Sequence, residues 1–262
     1  MKLPFYQVDA FTKDAFSGNP AAVVPLSAWI EDKLMQQIAL EKNLSETAFV
    51  VSSEQGYQIR WFTPKVEVNL CGHATLASAY VIFNYLEKDQ DRISFDSKSG
   101  PLYVWKEGDL LCMDFPTDTL ESIEPDQQIV DALGATPVEC YKGRDDIIYV
   151  YDNPTIIKNM EPDFNALKKI PTRGFLATAP GYDNYDFVSR GFFPITAINE
   201  DPATGSAHTS LCPYWSEKLG KSILTAYQMS ERGGYLTVEN KGDRTILKGR
   251  AILFASGNIH LT

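Results

Sequence analysis

An internal repeat constrains this chain more than any other feature. The segment RWFTPKVEVNLCGHATLASAY begins at Arg60 and RGFFPITAINEDPATGSAHTS begins at Arg190, an offset of 130 in a chain of 262 residues. Aligned without gaps, Arg60 meets Arg190, Phe62 meets Phe192, Pro64 meets Pro194, Asn69 meets Asn199 and Ala77 meets Ala207. Each copy reads as an apolar strand, a polar break and the start of a helix rich in small residues. A repeat near half the chain length predicts two structural units of one plan.

Both helix starts carry information. The first runs from Gly72-His73-Ala74-Thr75 into LASAYVIFNYL, which is apolar on nearly every face and so predicts a buried helix. The second starts at Asp201-Pro202, where Asp201 fits an N-cap and Pro202 the first helical position. Pro213 is expected to kink or end that helix after one or two turns. In this alignment Asp201 stands opposite Cys71.

Most of the remaining sequence is strand-like. Short β-rich runs such as AAVVPL, TAFVVSS, YQIRWF, IIYVY and YDFVSRGFF are punctuated by glycine and proline. Helices are predicted near residues 28–42, 126–134 and 163–169. The expected architecture is α+β, with two pseudo-symmetric lobes, each a curved, mostly antiparallel sheet or barrel around a central buried helix. The acidic, proline-containing stretch at 115–126 places the boundary, giving lobes 1–117 and 118–262, with the C-terminal strand free to return to the first lobe. Facing lobes would aim two helix N-termini, with their free N–H groups and positive dipole ends, into one cleft suited to a carboxylate.

Charge and cysteine content narrow the function classes. The net charge is −10, which disfavours nucleic acid and anionic membranes as partners. No run approaches the ~18 apolar residues of a membrane span, and MKLPFYQVDAF lacks the apolar run of a signal peptide. The expected location is therefore cytoplasmic. Cys71, Cys112, Cys140 and Cys212 are scattered without a CxxC pair, so neither a zinc site nor a disulfide framework is expected. The chain has no GxGxxG after a strand, no GxxxxGK[ST] and no GxSxG. No cofactor and no metal are expected.

Four motifs in order, SGNPAAVV from Ser17, NLSETAFV from Asn43, CGHATLASA from Cys71 and EDPATGSAH from Glu200, resemble those of the PhzF family. The resemblance spans most of the chain. It implies a diaminopimelate epimerase-like fold and a cofactor-independent isomerase, often a homodimer, acting on a small carboxylate. It also implies that Glu46 is the acid/base, at a junction where burial would raise its pKa. The alternative for Glu46 is a solvated carboxylate at a helix terminus.

His73 could bond a substrate carboxylate or relay a proton, or could make local bonds only. Asp201 could be catalytic, an N-cap, or both. Gly72, Gly205 and Ser206 could offer N–H and hydroxyl groups to substrate, or could be small only because helices pack closely. Gly18-Asn19 reads as a turn, although the resemblance places Asn19 near the substrate. His208 and His260 have no such support. In diaminopimelate epimerase relatives two cysteines at equivalent helix starts act as opposed acid and base; here the pair is Cys71 and Asp201. A racemase or epimerase using Cys71 opposite Asp201 is therefore the second reading, with Cys71 as a packing residue the plainer one. A non-catalytic small-molecule binder on the same fold is the third.

Overall fold

A computed structural model describes residues 1–196 and 198–261. The chain divides into two compact units, Met1–Asp114 with Lys248–Thr262, and Phe115–Leu247. The first unit contains β1 (Lys2–Ala10), β2 (Asn19–Leu26), α1 (Asp32–Lys42), β3 (Glu46–Ser53), β4 (Gly56–Phe62), β5 (Glu67–Val68) and α2 (Gly72–Val81). A π-helical turn, Ile82–Leu86, extends α2, and β6 (Arg92–Ser97), β7 (Gly100–Glu107) and β8 (Leu110–Pro116) follow. The C-terminal strand, Ala251–His260, pairs antiparallel along the whole of β1, from Lys2 opposite His260 to Ala10 opposite Ala251. That pairing is why the last residues belong with the first unit.

Strand order places two helices on opposite faces. β2 runs antiparallel to β1 and parallel to β3; β4 runs antiparallel to β3 and parallel to β6. Side chains alternate between faces along each strand. Val24, Leu26, Phe49 and Val51 pack with Met35, Ile38 and Ala39 of α1. The other alternating set, which includes Asn19, Ala21, Glu46 and Ala48, therefore faces α2. Because helices cover both faces, β2 and β3 are buried almost throughout.

Helix α2 is buried along its length, as its apolar sequence predicts. Its alanines let strands approach closely. The hydroxyls of Thr75 and Ser78 donate to the carbonyls of Cys71 (2.6 Å) and Ala74 (2.7 Å), so neither is left unpaired in the core.

The second unit repeats the strand pattern. It contains β9 (Glu121–Ser122), α3 (Gln127–Leu133), β10 (Glu139–Lys142), β11 (Asp146–Val150), α4 (Pro154–Lys158), α5 (Phe164–Leu167), β12 (Gly174–Pro180) and β13 (Phe187–Phe192). A 3-10 turn at Pro194–Thr196, α6 (Gly205–Leu219), β14 (Ile223–Gln228), β15 (Gly234–Asn240) and β16 (Arg244–Gly249) complete it. β11–β12 is parallel, β12–β13 antiparallel and β13–β14 parallel, the order seen in β2–β3–β4–β6. Helices α3, α4 and α5 cover one face through Ile129, Leu133, Ile157 and Leu167 against Phe175 and Phe192, while α6 packs against β14 and β15.

Three expectations need correction. The second buried helix begins at Gly205 with Thr204 at the N-cap, not at Asp201-Pro202. The first begins at Gly72 with Cys71 at the N-cap. The helix starts are thus 133 residues apart, and the ungapped repeat slips by three residues between strand and helix. The structural counterpart of Cys71 is Thr204, and that of His73 is Ser206. Pro213 neither ends nor shortens α6, which continues to Leu219. A proline there removes the amide that would bond the Thr209 carbonyl; the backbone N–H of Asp118 takes that carbonyl instead, at 3.2 Å. Finally, Asn19 is not a turn residue. It is the fully buried first residue of β2. Gly18 lies in the bend just before it, at φ 70°, where a Cβ would lie 2.3 Å from the Ala10 carbonyl.

Candidate active site

In the first unit the alternation of β2 and β3 delivers Asn19 and Glu46 to the start of α2. Glu46 stands immediately after the α1 exit, where Asn43 takes the left-handed conformation that closes the helix (φ 50°) and donates its N–H to the Ala39 carbonyl. It then pairs in register with Ala21. His73 is the second residue of α2 and is 5% exposed. Its Nε2 lies 3.2 Å from Oε2 of Glu46, and its Nδ1 lies 3.2 Å from Nδ2 of Asn19 and 3.6 Å from Sγ of Cys71.

The electrostatics of this line follow from burial. Desolvation pushes the His73 imidazole down to about 3, so the ring is neutral near pH 7. Its approach to Glu46 is therefore not an ion pair, in spite of the short distance. An amide donor at Nδ1 makes that nitrogen the acceptor and leaves the ring hydrogen on Nε2, near Glu46 Oε2 but not aligned in a hydrogen bond with it. Asn19 sets the tautomer, and the Glu46 carboxylate lies beside the neutral ring. Gly72 is the first residue of α2, and the Cys71 side chain does not cap the helix. The first-turn amides remain able to receive an anion.

In the second unit Asp201 is buried and its Oδ2 accepts from Thr204 Oγ1 at 2.5 Å. Gln228 ties this segment down: its Oε1 accepts from the Thr204 amide at 2.7 Å, and its Nε2 donates to the Asp201 carbonyl at 2.7 Å. Gly205 opens α6, and Ser206 Oγ accepts from Arg173 Nη2 at 3.3 Å. Arg173 is also paired with Asp146. His208, one turn into α6, is fully buried with Nδ1 2.8 Å from the Thr204 carbonyl, and burial lowers it to about 4. Neither it nor His260 joins the Glu46 cluster.

Several residues that hold these segments were not singled out from the sequence. Arg60 pairs with Glu67 through Nε–Oε1 (2.7 Å) and Nη2–Oε2 (2.9 Å), and its guanidinium lies 5.2 Å over the Phe62 ring. Arg190 pairs with Glu200 through the same atoms at the same distances, and lies 5.0 Å over Phe192. Each arginine ties a strand to the segment that leads into a buried helix. The glutamates are 133 residues apart, in step with the helix starts, whereas the arginines are 130 apart. The Arg-x-Phe spacing shared by both repeats, each followed by a glutamate, was the available signal. Scattered spacing also hid the meeting of Cys71 with Glu46 and His73, whose ligating atoms all lie within 4.8 Å of one another.

The chain matches the family of phenazine biosynthesis-like proteins (PhzC-PhzF) over residues 8–257. An uncharacterized isomerase of Pseudomonas aeruginosa is 48% identical over 261 residues, covering 100% of each chain. The crystal structure of a PhzF family protein from Enterococcus faecalis matches with a TM-score of 0.96 at 48% identity, covering 100% of each chain. A hydroxyproline epimerase from Agrobacterium vitis, solved with bound trans-4-hydroxy-L-proline, matches with a TM-score of 0.64 at 9% identity over 98% of this chain and 92% of that one, a likeness of fold alone. The fold is α+β and of the diaminopimelate epimerase-like kind. By its match along nearly its whole length, the chain belongs to the PhzF family of phenazine biosynthesis-like proteins.

Proposed function

We propose that this protein is a cofactor-independent isomerase that shifts a proton on a small carboxylate, with Glu46 as the acid/base. The observation that carries the reading is the Glu46 carboxylate held 3.2 Å from a neutral imidazole at the open end of a buried helix. A carboxylate so placed can take a proton from a carbon beside an activating group and return it to a nearby carbon on the same face. The Gly72 and His73 amides favour the charge that develops on the substrate, and the fixed Nε2–H adds a neutral donor.

Relatives named as isomerases support the reaction class. The test is a proton NMR screen of small unsaturated and α-substituted carboxylates, run with the wild type and with Glu46→Gln. The reading expects an isomer to accumulate with the wild type and turnover to fall by about 100-fold or more in the variant. A Glu46→Gln protein that turns over at the wild-type rate removes Glu46 from the reaction.

A second reading, racemisation through Cys71, is favoured by the 3.6 Å approach of its Sγ to His73 Nδ1. The slipped register argues against a symmetric pair, because Thr204 and not Asp201 occupies the matching N-cap. Inactivation by iodoacetamide, blocked by substrate, would favour this second reading; full activity after alkylation excludes it. A homodimer completes the proposal. The exposed rings of Phe16 and Phe254, 5.6 Å apart edge to face, are apolar surface that a second copy would cover. Light scattering that returned the monomer mass would exclude the dimer.

A further inference from the structure

We propose that Glu46, Cys71 and His73 form a binding site for a thiophilic divalent cation of the zinc class. The three residues offer a carboxylate oxygen, a thiol sulfur and an imidazole nitrogen, one from each side chain, all within 4.8 Å of one another. Among the described residues no other group of three or more His, Cys, Asp or Glu side chains comes together in this way.

Tetrahedral zinc bonds sulfur at about 2.3 Å and nitrogen or oxygen at about 2.0–2.2 Å, which sets neighbouring ligand atoms about 3.3–3.7 Å apart. One contact is already close to that spacing, His73 Nε2 to Glu46 Oε2 at 3.2 Å; Cys71 Sγ lies 3.6 Å from Nδ1, the ring's other nitrogen. Closing all three on one imidazole nitrogen takes a side-chain shift of about 1 Å, the excess over tetrahedral spacing.

The donor set selects the ion. Thiolate and imidazole favour zinc, cobalt and cadmium, whereas magnesium and calcium require oxygen ligands. Ligating histidines keep a partner on the second ring nitrogen that fixes the ring. Asn19 stands in that place, 3.2 Å from Nδ1; its amide turns over to accept when Nε2 ligates. As the metal–sulfur bond forms, the thiol proton passes to solvent, and the imidazole proton exchanges through solvent from Nε2 to Nδ1, where the turned Asn19 amide oxygen accepts it. Three protein ligands leave a fourth position for water or a carboxylate. The site shares Glu46 with the proposed acid/base, so a bound cation and proton transfer exclude each other. That consequence rests on the function proposed above; the binding does not.

Titration of the reduced, metal-free protein with cobalt(II), followed by optical absorption, tests the inference. The expected result is a thiolate-to-cobalt charge-transfer band that saturates at one equivalent and disappears on adding zinc. Cys71→Ser should abolish the band, Cys112→Ser should leave it intact, and Asn19→Ala should weaken cobalt binding by about tenfold or more. Thermal melting of each variant shows that the fold is kept. Absence of the band at millimolar cobalt, or a band that persists in Cys71→Ser, overturns the proposal. Because the readout is binding, it stands even if Glu46 proves not to be the acid/base.

Discussion

At the scale of the residue, burial decides the chemistry of both core histidines. His73 and His208 titrate near 6.5 when unfolded and are held to about 3 and about 4 in the fold by desolvation. Between these limits the unfolded chain binds protons that the native protein refuses, so stability falls as pH falls. The contribution is complete above about pH 6.5 and is lost towards pH 4 and then 3, with a slope approaching about 1.4 kcal/mol per pH unit for each histidine. Urea unfolding between pH 7 and 5, above the carboxylate range, isolates this effect, and His208→Asn should flatten the slope. A wild-type stability that is constant or rises on acidification across that window would show that these rings are charged in the fold. His73 was legible from the sequence because its Gly-His motif opens an apolar helix. Its neutrality was not, because that depends on burial under strands distant in sequence.

At the scale of the element, the two arginine–glutamate pairs each tie a strand to the segment that leads into a buried helix. Arg190 makes two bonds to Glu200 and two more to the carbonyls of Ile157 (3.0 Å) and Met160 (2.7 Å). Arg60 adds a bond to Asp32 at the start of α1 (2.8 Å). Removing a half-buried guanidinium leaves a partly desolvated carboxylate and, at Arg190, two unpaired carbonyls behind. Arg190→Ala should therefore cost about 3 kcal/mol and Arg60→Ala, whose partner Asp32 is exposed, about 2 kcal/mol. Urea denaturation of both variants measures this; losses under about 0.5 kcal/mol would reduce the pairs to ordinary surface bridges. The same elements explain the misplaced helix start. Asp201-Pro202 carries the local signature of a cap and first turn, yet its carboxylate accepts from Thr204 and its backbone is held by Gln228. Tertiary bonds outcompeted local propensity, and the signal lay in the three-residue slip that an ungapped alignment conceals. Pro213 misled for a related reason: the carbonyl it orphans finds a partner 91 residues away in sequence, in Asp118.

At the scale of the whole molecule, the duplication was readable because strand order and the Arg-x-Phe spacing survive in both halves. The return of the C-terminal strand to β1 was readable only as a possibility, since strand pairing over 250 residues leaves no local mark. It has a consequence for dissection. The second unit is one continuous stretch, 115–247, with its own apolar core, and should fold when expressed alone. Residues 1–114 should not, because β1 keeps β2 but lacks the C-terminal strand, its longer antiparallel neighbour, and presents an unpaired edge. Joining 248–262 ahead of residue 1 through a flexible linker should restore folding. Circular dichroism and amide protection of the three fragments give the answer; a cooperative melt from 1–114 alone would contradict this division of the chain.

The central claim is that one carboxylate carries the migrating hydrogen, and counting deuterium tests it most directly. With a turned-over carboxylate deuterated at the donor carbon, in ordinary water, the wild type should carry part of that deuterium to the carbon that receives the proton, read by mass spectrometry and NMR. Glu46→Gln should place none, while melting at an unchanged temperature. Deuterium at that carbon in the Glu46→Gln product, at the wild-type rate, would contradict the account.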